Sequence, residues 1–314
     1  MENTLPAENL PENLPETEEK EKKKFRIPKK AVPFVLLSPA FLFYILFWLI
    51  PVVLGVIESF TTEEGSFTFL NYYYIFVDGE FGIAMLNTGL FVFLSIIVQY
   101  VLALALALIL NMKFRFNKAL LFIVMIPMAI TPTAVAIIWK TGLRQMGWIN
   151  TILTKLHVTS ELIAWLEARG PAAIVMLVAI DTWTVLPSTV IILLAGLQNL
   201  NAELKEAGEI FGASKWQITR DIVIPILKPS IITSLLLRII AATQMWVLVV
   251  MVLGYNALPF MVERIAYYVE FVPNAPNAEK MAYAMSMMVA LIVFITSVIY
   301  YKVARRGSVM EADK

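Results

Sequence analysis

The sequence contains no cysteine and one histidine, His157, and only 16% of its 314 residues are charged. The absence of thiols excludes disulfides and thiolate metal sites, and one loop histidine offers no imidazole cluster. The pattern G-x-x-x-x-G-K-[ST] occurs nowhere, so the chain has no such phosphate-binding loop. A net charge of +1 gives no indication of a nucleic-acid partner. We expect no catalytic residue and no metal site in this chain.

The sequence is instead rich in long apolar runs, with 59% hydrophobic residues and a mean hydropathy of +0.75. Soluble domains average roughly 45–50% apolar residues. A helix needs about 20 residues to cross a bilayer. Six runs reach this length: 31–57, 86–112, 119–140, 172–197, 231–254 and 281–303. They predict an all-α integral membrane protein with six transmembrane helices.

The distribution of basic residues predicts the orientation of these spans. Of the 25 Lys and Arg residues, 18 fall on one side of the six spans and 6 on the other, and Arg238 lies within the fifth. Cytoplasmic loops carry the excess of Lys and Arg. We therefore expect both termini in the cytoplasm of a multi-pass cell-membrane protein, and residues 201–230 on the same side.

Composition also suggests a division of the chain. Residues 1–30 hold seven acids and seven bases and predict a disordered cytoplasmic segment. Residues 31–80 are assigned to the first span and an outer loop, 81–306 to the main transmembrane domain, and 307–314 to a cytoplasmic tail. Tyr72, Tyr73, Tyr74 and Trp148 on the outer side form either an interfacial aromatic belt or a surface for an extracytoplasmic partner.

The cytoplasmic loop has signals for two short helices. Asn201 can cap the first helix, and Glu203 lies in its first turn, where the helix dipole favours an acid. Gly212 follows the apolar positions, where a helix commonly ends in a left-handed residue. Ser214 and Gln217 then match a capping box that opens a second helix.

Pro225 and Pro229 are expected to end this second helix before the fifth span. The loop is interpreted as a protein-docking surface or as an amphipathic helix lying on lipid. A lipid-surface helix favours bases, whereas Glu203, Glu206 and Glu209 are acids, so docking is the preferred interpretation.

The order Glu206-Ala207-Gly208, Gly212-Ala213-Ser214 and Ile224-Pro225 resembles the EAA loop of ABC importer permeases. Two positions depart from the family pattern, namely Gly208 and Phe211. Further short motifs are similar to the maltose-type sugar branch, namely Ser38-Pro39-Ala40, Pro51, Asn87-Thr88, Leu186-Pro187 and Ala195-Gly196-Leu197-Gln198. The resemblance covers about residues 33–306.

The resemblance implies a MetI-like type-1 permease fold with a coupling loop at residues 201–225. It implies that Glu206, Ala207, Gly208, Gly212 and Ala213 couple the chain to an ATPase. The implied partners are a homologous second permease, two cytoplasmic ATP-binding subunits and an extracytoplasmic solute-binding protein. ATP and Mg would then bind the partner subunits, and this chain would bind no cofactor.

Polar groups within spans are costly and usually paired or functional. Asp181 and Arg238 fall at similar depths of two antiparallel spans, which predicts a contact or a shared polar network. The alternative is that Arg238 extends its side chain towards the cytoplasm. The family's glycine-rich stretch after the fifth span is replaced by 253–259, Leu-Gly-Tyr-Asn-Ala-Leu-Pro, and this places the identity of the cargo in question.

Amides, acids and aromatic rings are the groups that bind sugars, and the candidate cargo path is Gln99, Asp181, Trp183, Gln244 and Trp246. The alternative for each tryptophan is ordinary helix packing. The predicted function is the permease subunit of an ATP-driven importer for a di- or oligosaccharide. Within that class, glycerol phosphate or another polar solute is the alternative cargo. Outside it, the alternatives are an ion-gradient-driven secondary transporter and a membrane-embedded enzyme.

Overall fold

The structure, a computed structural model, describes residues 28, 32–77, 79–112, 114–272 and 277–312, without the side chains of residues 202 and 303–312. The disorder predicted for residues 1–30 therefore lies outside the described residues, apart from Pro28. The division into 31–80, 81–306 and 307–314 stays a prediction.

The described residues are almost entirely helical. The α-helices are α1 (Val32–Tyr44), α2 (Ile50–Ser59), α3 (Leu70–Val77), α4 (Glu80–Asn111), α5 (Asn117–Met125), α6 (Pro132–Gly142), α7 (Trp148–Lys155), α8 (Gly170–Gln198), α9 (Ala202–Ile210), α10 (Lys215–Ile218), α11 (Ile224–Thr243), α12 (Val247–Leu253), α13 (Met261–Glu270) and α14 (Ala278–Ala312). Two π-helical turns (Ile45–Leu49, Thr219–Val223) and two 3₁₀ turns (Ile126–Ala129, Trp165–Glu167) complete them. In this part of the chain the β-structure is one bridge between Thr61 and Phe67.

The prediction of an all-α membrane protein is confirmed. Five helical stretches in the described residues are long and apolar enough to cross a bilayer: Val32–Ser59, Glu80–Asn111, Gly170–Gln198, Lys215–Thr243 and Ala278–Lys302. A sixth crossing requires a bent pair of helices to act as one span. Helices suit this environment because they satisfy all backbone hydrogen bonds within the segment.

The third span is not the straight helix expected over 119–140. Residues Asn117–Ala129 and Pro132–Gly142 meet at an angle of 98°. The cause is local, because Thr131 precedes Pro132 and takes an extended conformation with ψ 148°. The Thr131 side chain then caps α6 by accepting a hydrogen bond from the backbone N–H of Ala134.

The fifth span also departs from its expected limits, 231–254. The helix begins at Lys215 and ends at Thr243, and the separate helix α12 follows. The prediction that Pro225 and Pro229 separate the loop helix from the span is wrong. Pro225 occupies the second position of α11, where its missing N–H removes no bond within that α-helical segment, and the π-turn Thr219–Val223 joins it to α10.

Packing divides the chain into two units at Val52. In the first, every described side chain from Val32 to Val52 is exposed. A helix that is apolar on all sides and exposed on all sides needs an apolar environment, as lipid provides.

The second unit contains three clusters of buried apolar side chains. The first cluster joins α4, α6, α8, the end of α11 and α12, and includes Phe91, Val135, Ile180, Ala242 and Val249. The second joins the following parts of α4 and α8 to α10 and α11, and includes Ala103, Val190, Leu193, Ile218 and Leu227. The third joins α3, the beginning of α4, α13 and α14, and includes Ile75, Met261 and Met285.

Close packing of α8 on α11 depends on Gly196. A Cβ atom there would approach Leu227 Cδ2 to 2.7 Å and Ser230 Oγ to 2.9 Å. Small residues at such positions let helix backbones approach closely in membranes. This contact fixes the end of α8 that leads into the polar loop.

Candidate functional site

The polar loop between α8 and α11 begins with a capped helix. The Asn201 side chain accepts a hydrogen bond of 3.1 Å from the backbone N–H of Glu203, as the sequence predicted. Glu206, Ala207 and Glu209 are exposed along α9, and Gly208 is half-buried. The helix therefore presents an acidic face to its surroundings.

Helix α9 ends in a left-handed turn at Gly212, whose φ is +77°. The N–H of Ala213 donates to the carbonyl of Gly208 and the N–H of Gly212 to that of Glu209, each at 3.0 Å. This is the Schellman arrangement of helix C-termini. Since open space surrounds a Cβ built at Gly212, the need for glycine arises from its backbone angle alone.

The second helix of the loop begins with the predicted capping box. The Ser214 N–H donates to Gln217 Oε1 at 2.8 Å, and the Gln217 N–H donates to Ser214 Oγ at 3.3 Å. The two helices thus meet at a turn whose terminal donors and acceptors are bonded within the loop. Such a joint keeps a defined angle without help from a partner.

Packing between the two helices explains why Gly208 replaces the family's alanine. A Cβ at Gly208 would lie 3.1 Å from Ile222 Cδ1 and 3.2 Å from Ile218 Cγ1. The two isoleucine side chains therefore fill the space that an alanine methyl group would need.

The tip of the loop exposes large apolar side chains. Phe211 is 89% exposed, Ile210 83% and Trp216 68%. In a soluble segment bearing several acids, apolar side chains exposed this far indicate a surface that another molecule covers.

Within the spans, the structure brings Asp181 and Arg238 together as an ion pair. Their side chains are only 3% and 5% exposed. Gln99 joins them by donating from Nε2 to Asp181 Oδ2 at 2.8 Å. The three polar side chains connect α4, α8 and α11.

The ion pair forms part of the wall of a partly open cavity of about 280 Å³. This volume is near the lower end of the roughly 300–1,000 Å³ range of ligand pockets. The residues that line it include Pro132, Asp181, Thr184, Arg238, Gln244 and Trp246. The cavity thus lies where α6 follows the bend in the third span and where the fifth span breaks between α11 and α12.

The five candidate cargo-path residues divide in the structure. Asp181, Gln244 and Trp246 line the cavity, and the latter two also line a wider cleft of about 610 Å³ against α13 and α14. Gln99 is fully buried behind Asp181. Trp183 packs edge-on against Trp139, with ring centroids 5.7 Å apart, and is absent from the cavity wall.

Sequence reasoning missed the contribution of the bent third span to this cavity. Pro132 lies on the cavity wall, and Lys140 at the other end of α6 donates to the Met251 carbonyl of α12 at 2.9 Å. The two prolines Pro127 and Pro132, five residues apart in an apolar run, were the available signal, because proline interrupts helices.

The loop after α12 contains a buried acid. Glu263 is fully buried and accepts hydrogen bonds from the backbone N–H groups of Asn256 and Phe260. Burial raises the pKa of Glu263 above its usual value, although these two N–H groups act in the opposite direction. Nearby, desolvation and a hydrogen bond to Glu270 raise the pKa of Tyr255 to about 12.

Comparison with known proteins places this geometry in context. The family described as binding-protein-dependent transport system inner membrane component matches residues 99–308. A probable ABC transporter permease protein of Brucella suis is 29% identical over 291 residues, covering 88% of this chain and 98% of that protein. The arabinooligosaccharides transport system permease protein AraP of Bacillus subtilis is 31% identical over 225 residues, covering 69% of this chain and 71% of that protein.

The fold matches a solved transporter. One chain of a bacterial alginate ABC transporter, crystallised with an alginate pentasaccharide-bound periplasmic protein, superposes with a TM-score of 0.77 at 21% identity. The match covers 88% of this chain and 96% of that chain. The chain therefore belongs to the family of binding-protein-dependent transport system inner membrane components, and it is a multi-pass permease subunit of an ABC importer with the MetI-like fold.

Proposed function

We propose that this permease subunit transports a di- or oligosaccharide delivered by an extracytoplasmic binding protein. Its partners are a homologous second permease and two cytoplasmic ATP-binding subunits, and both of its termini lie in the cytoplasm. The observation that carries the proposal is the pairing of two features on one helix. The docking joint at Gly212 precedes Lys215–Thr243, and the partly open cavity adjoins its other end.

The exposed loop supports docking of an ATPase. Glu206 and Ala207 are exposed on α9, and Gly212 holds α9 at an angle to the following helix. Gly208 and Ala213 close the turn through a backbone hydrogen bond. We assign these five residues to coupling, as the resemblance implies.

The chemistry of the loop also describes the partner's cleft. Phe211, Ile210 and Trp216 call for an apolar pocket, and the acids of α9 call for a basic rim. ATP and Mg bind the partner subunits in this proposal, since the sequence has no G-x-x-x-x-G-K-[ST] loop. This chain itself binds no cofactor.

The cavity supports a sugar as cargo. Asp181 and Arg238 side by side offer an acceptor and a donor to neighbouring hydroxyls, while their charges compensate each other. Gln244 adds an amide, and Trp246 adds an aromatic surface for an apolar ring face. The arabinooligosaccharide permease among the relatives supports the same class of cargo.

The absence of cysteine makes the orientation directly testable with single-cysteine variants. Phe211→Cys, on the exposed loop tip, should react with a membrane-impermeant maleimide only in inside-out vesicles. Ser160→Cys, on an exposed loop of the opposite side, is the matched control and should react only in intact cells. The maleimide reaction is measured in vesicles washed free of the ATP-binding subunits, whereas in vesicles that keep them Phe211→Cys should be shielded and should cross-link to one of them. Labelling of Phe211→Cys in intact cells would overturn the orientation.

Transport is tested with the complex purified through this chain and reconstituted in liposomes. Uptake of an arabinooligosaccharide or maltodextrin supplied on its binding protein should require ATP on the cytoplasmic side and persist with a proton ionophore. Glu206→Lys should abolish ATP-dependent uptake, whereas Glu161→Lys, on the opposite side, should not. Uptake that stops with the ionophore while ATP is present contradicts the proposal and favours a secondary transporter.

A further inference from the structure

One continuous helical stretch joins the docking loop to the cavity. Lys215–Thr243 contains 29 residues, about 43 Å at 1.5 Å per residue. At its beginning, the Ser214–Gln217 capping box ties it to the Gly212 turn. At its end, α11 stops at Thr243, and Gln244 and Trp246 line the cavity. The stretch stays helical across the π-turn Thr219–Val223 and the internal proline Pro229, so it can transmit a displacement of the loop.

Near its far end, this helix makes polar contacts with α4 and α8, besides one from α14. Arg238, five residues before the end, pairs with Asp181 of α8. Ser234, one turn earlier, accepts a 2.8 Å hydrogen bond from the Tyr100 hydroxyl of α4. Beyond Thr243 the chain leaves the α-helix, so a force along α11 can dissipate in the break unless α11 is fixed to its neighbours before that point.

The polar trio Gln99, Asp181 and Arg238 lies between the first and second apolar clusters on each of three helices. On α4, Gln99 falls between Phe91 of the first cluster and Ala103 of the second. On α8, Asp181 directly follows Ile180 of the first cluster and precedes the second cluster's residues on that helix. On α11, Arg238 falls between the second cluster and the first.

The trio is therefore a polar connection at the boundary between the first and second clusters. Apolar clusters can slide or separate at low cost in lipid, because lipid tails are as apolar as the side chains. A buried ion pair cannot separate without exposing uncompensated charge.

We propose that Asp181, oriented by Gln99, positions Arg238 and so holds the end of Lys215–Thr243 against α8. The contact between Asp181 and Arg238 is called the pin below. Movement of the docking loop then changes the cavity wall instead of being absorbed at the break. Asp181 and Gln99 act in this as positioning residues. The inference rests on the proposed docking of an ATPase to the loop, and it adds the step by which ATPase movement reaches the cargo cavity.

The test measures sugar uptake and ATP hydrolysis in the same liposomes containing the complete complex. The double variant Asp181→Asn/Arg238→Met removes the pin without leaving an unpaired charge, so it is expected to fold. We expect the sugar transported per ATP hydrolysed to fall about tenfold, within the usual range of allosteric coupling. ATP hydrolysis itself should persist.

Two variants serve as controls for the pin. Arg238→Lys keeps a charge for Asp181 and should retain most of the coupling ratio. Ser234→Ala removes the neighbouring contact of the same helix with α4, but not the contact with α8, and should leave the ratio near that of the original protein.

Each other outcome contradicts the pin in a recognisable way. An unchanged ratio in the double variant overturns it. A raised KM for the sugar-loaded binding protein at an unchanged ratio also overturns it, and leaves the pair with the sugar contact of the proposed function alone. Proportional loss of uptake and hydrolysis assigns it to structure alone. Failure of the proposed function is distinct from all three, because the original complex would then show no ATP-dependent uptake.

Discussion

The stretch Lys215–Thr243 ends in two different ways. Its beginning is an exposed joint whose backbone groups are bonded within the loop, through the Gly212 turn and the Ser214–Gln217 box. Its end is a break at Gln244, where no side chain caps the short helix α12 and where side chains of α6 and α8 line the adjoining cavity. The first end is defined by local sequence and the second by tertiary packing, so substitutions should act differently at the two.

The largest difference should come from charges. Arg238→Met leaves Asp181 buried without its partner and should lower the free energy of unfolding by about 3–5 kcal/mol. Arg220→Met breaks an exposed pair with Asp221 near the other end of the helix and should change stability little. Thermal unfolding of the purified proteins, followed by tryptophan fluorescence, measures both. Equal shifts in the two variants would remove the contrast.

The next effect concerns the left-handed turn. Gly212→Ala places a Cβ at φ +77° and should cost about 1–2 kcal/mol. The result should be faster amide hydrogen exchange in residues 202–217 alone. Gly212→Asn, which tolerates this conformation better, should have the smaller effect. Exchange that also rises around Gln244 would show that the joint is not locally determined.

A smaller effect is expected where α9 packs on the helix that follows. Gly208→Ala crowds Ile218 and Ile222, and because the contacted atoms are ends of flexible side chains it should destabilise the loop by about 1 kcal/mol. Adding Ile222→Val should restore stability by removing the nearest methyl group. The same exchange measurement checks both proteins, and a failure of Ile222→Val to compensate would contradict the packing explanation.

The smallest effect is the pH dependence of the loop beyond the break. The pKa of Glu263 is raised above 4.5 by burial, so the folded loop holds this proton more tightly than the unfolded chain does. Its stabilising contribution is therefore present below 4.5 and is lost as the pH rises through the raised value. Unfolding midpoints measured across this range should fall with rising pH, and Glu263→Gln should flatten the profile. A steeper fall of the unfolding midpoint with pH in Glu263→Gln than in the original protein would contradict a raised pKa of Glu263.

The contrast between the two ends also explains what sequence reasoning could reach. The Asn201 cap, the Gly212 turn and the Ser214 box follow from short-range rules, and the structure confirms all three. The ion pair was expected only as one of two alternatives, since equal depth in two spans does not determine which faces meet. The structure places it between α8 and α11.

Other features lay beyond local rules. The 98° bend follows from Pro132, but hydropathy alone predicted one straight span over residues 119–140. The sequence around the break at Gln244 contains no proline or glycine that would predict it. The helix after the break is held by a contact from another span, because Lys140 of α6 donates to the carbonyl of Met251 in α12. Trp183 fitted a sugar path by residue type, yet its ring packs on Trp139.

The unbroken path from Lys215 to Arg238 has a further consequence. Successive residues of an α-helix are rotated by about 100° around its axis. Inserting one residue between the π-turn and Arg238 would therefore swing the guanidinium away from Asp181 while the loop stayed where it was. Inserting four would return it to nearly the original direction, one turn further along. The number of residues between the loop and Arg238 therefore determines both the distance between them and the direction in which Arg238 points relative to the loop.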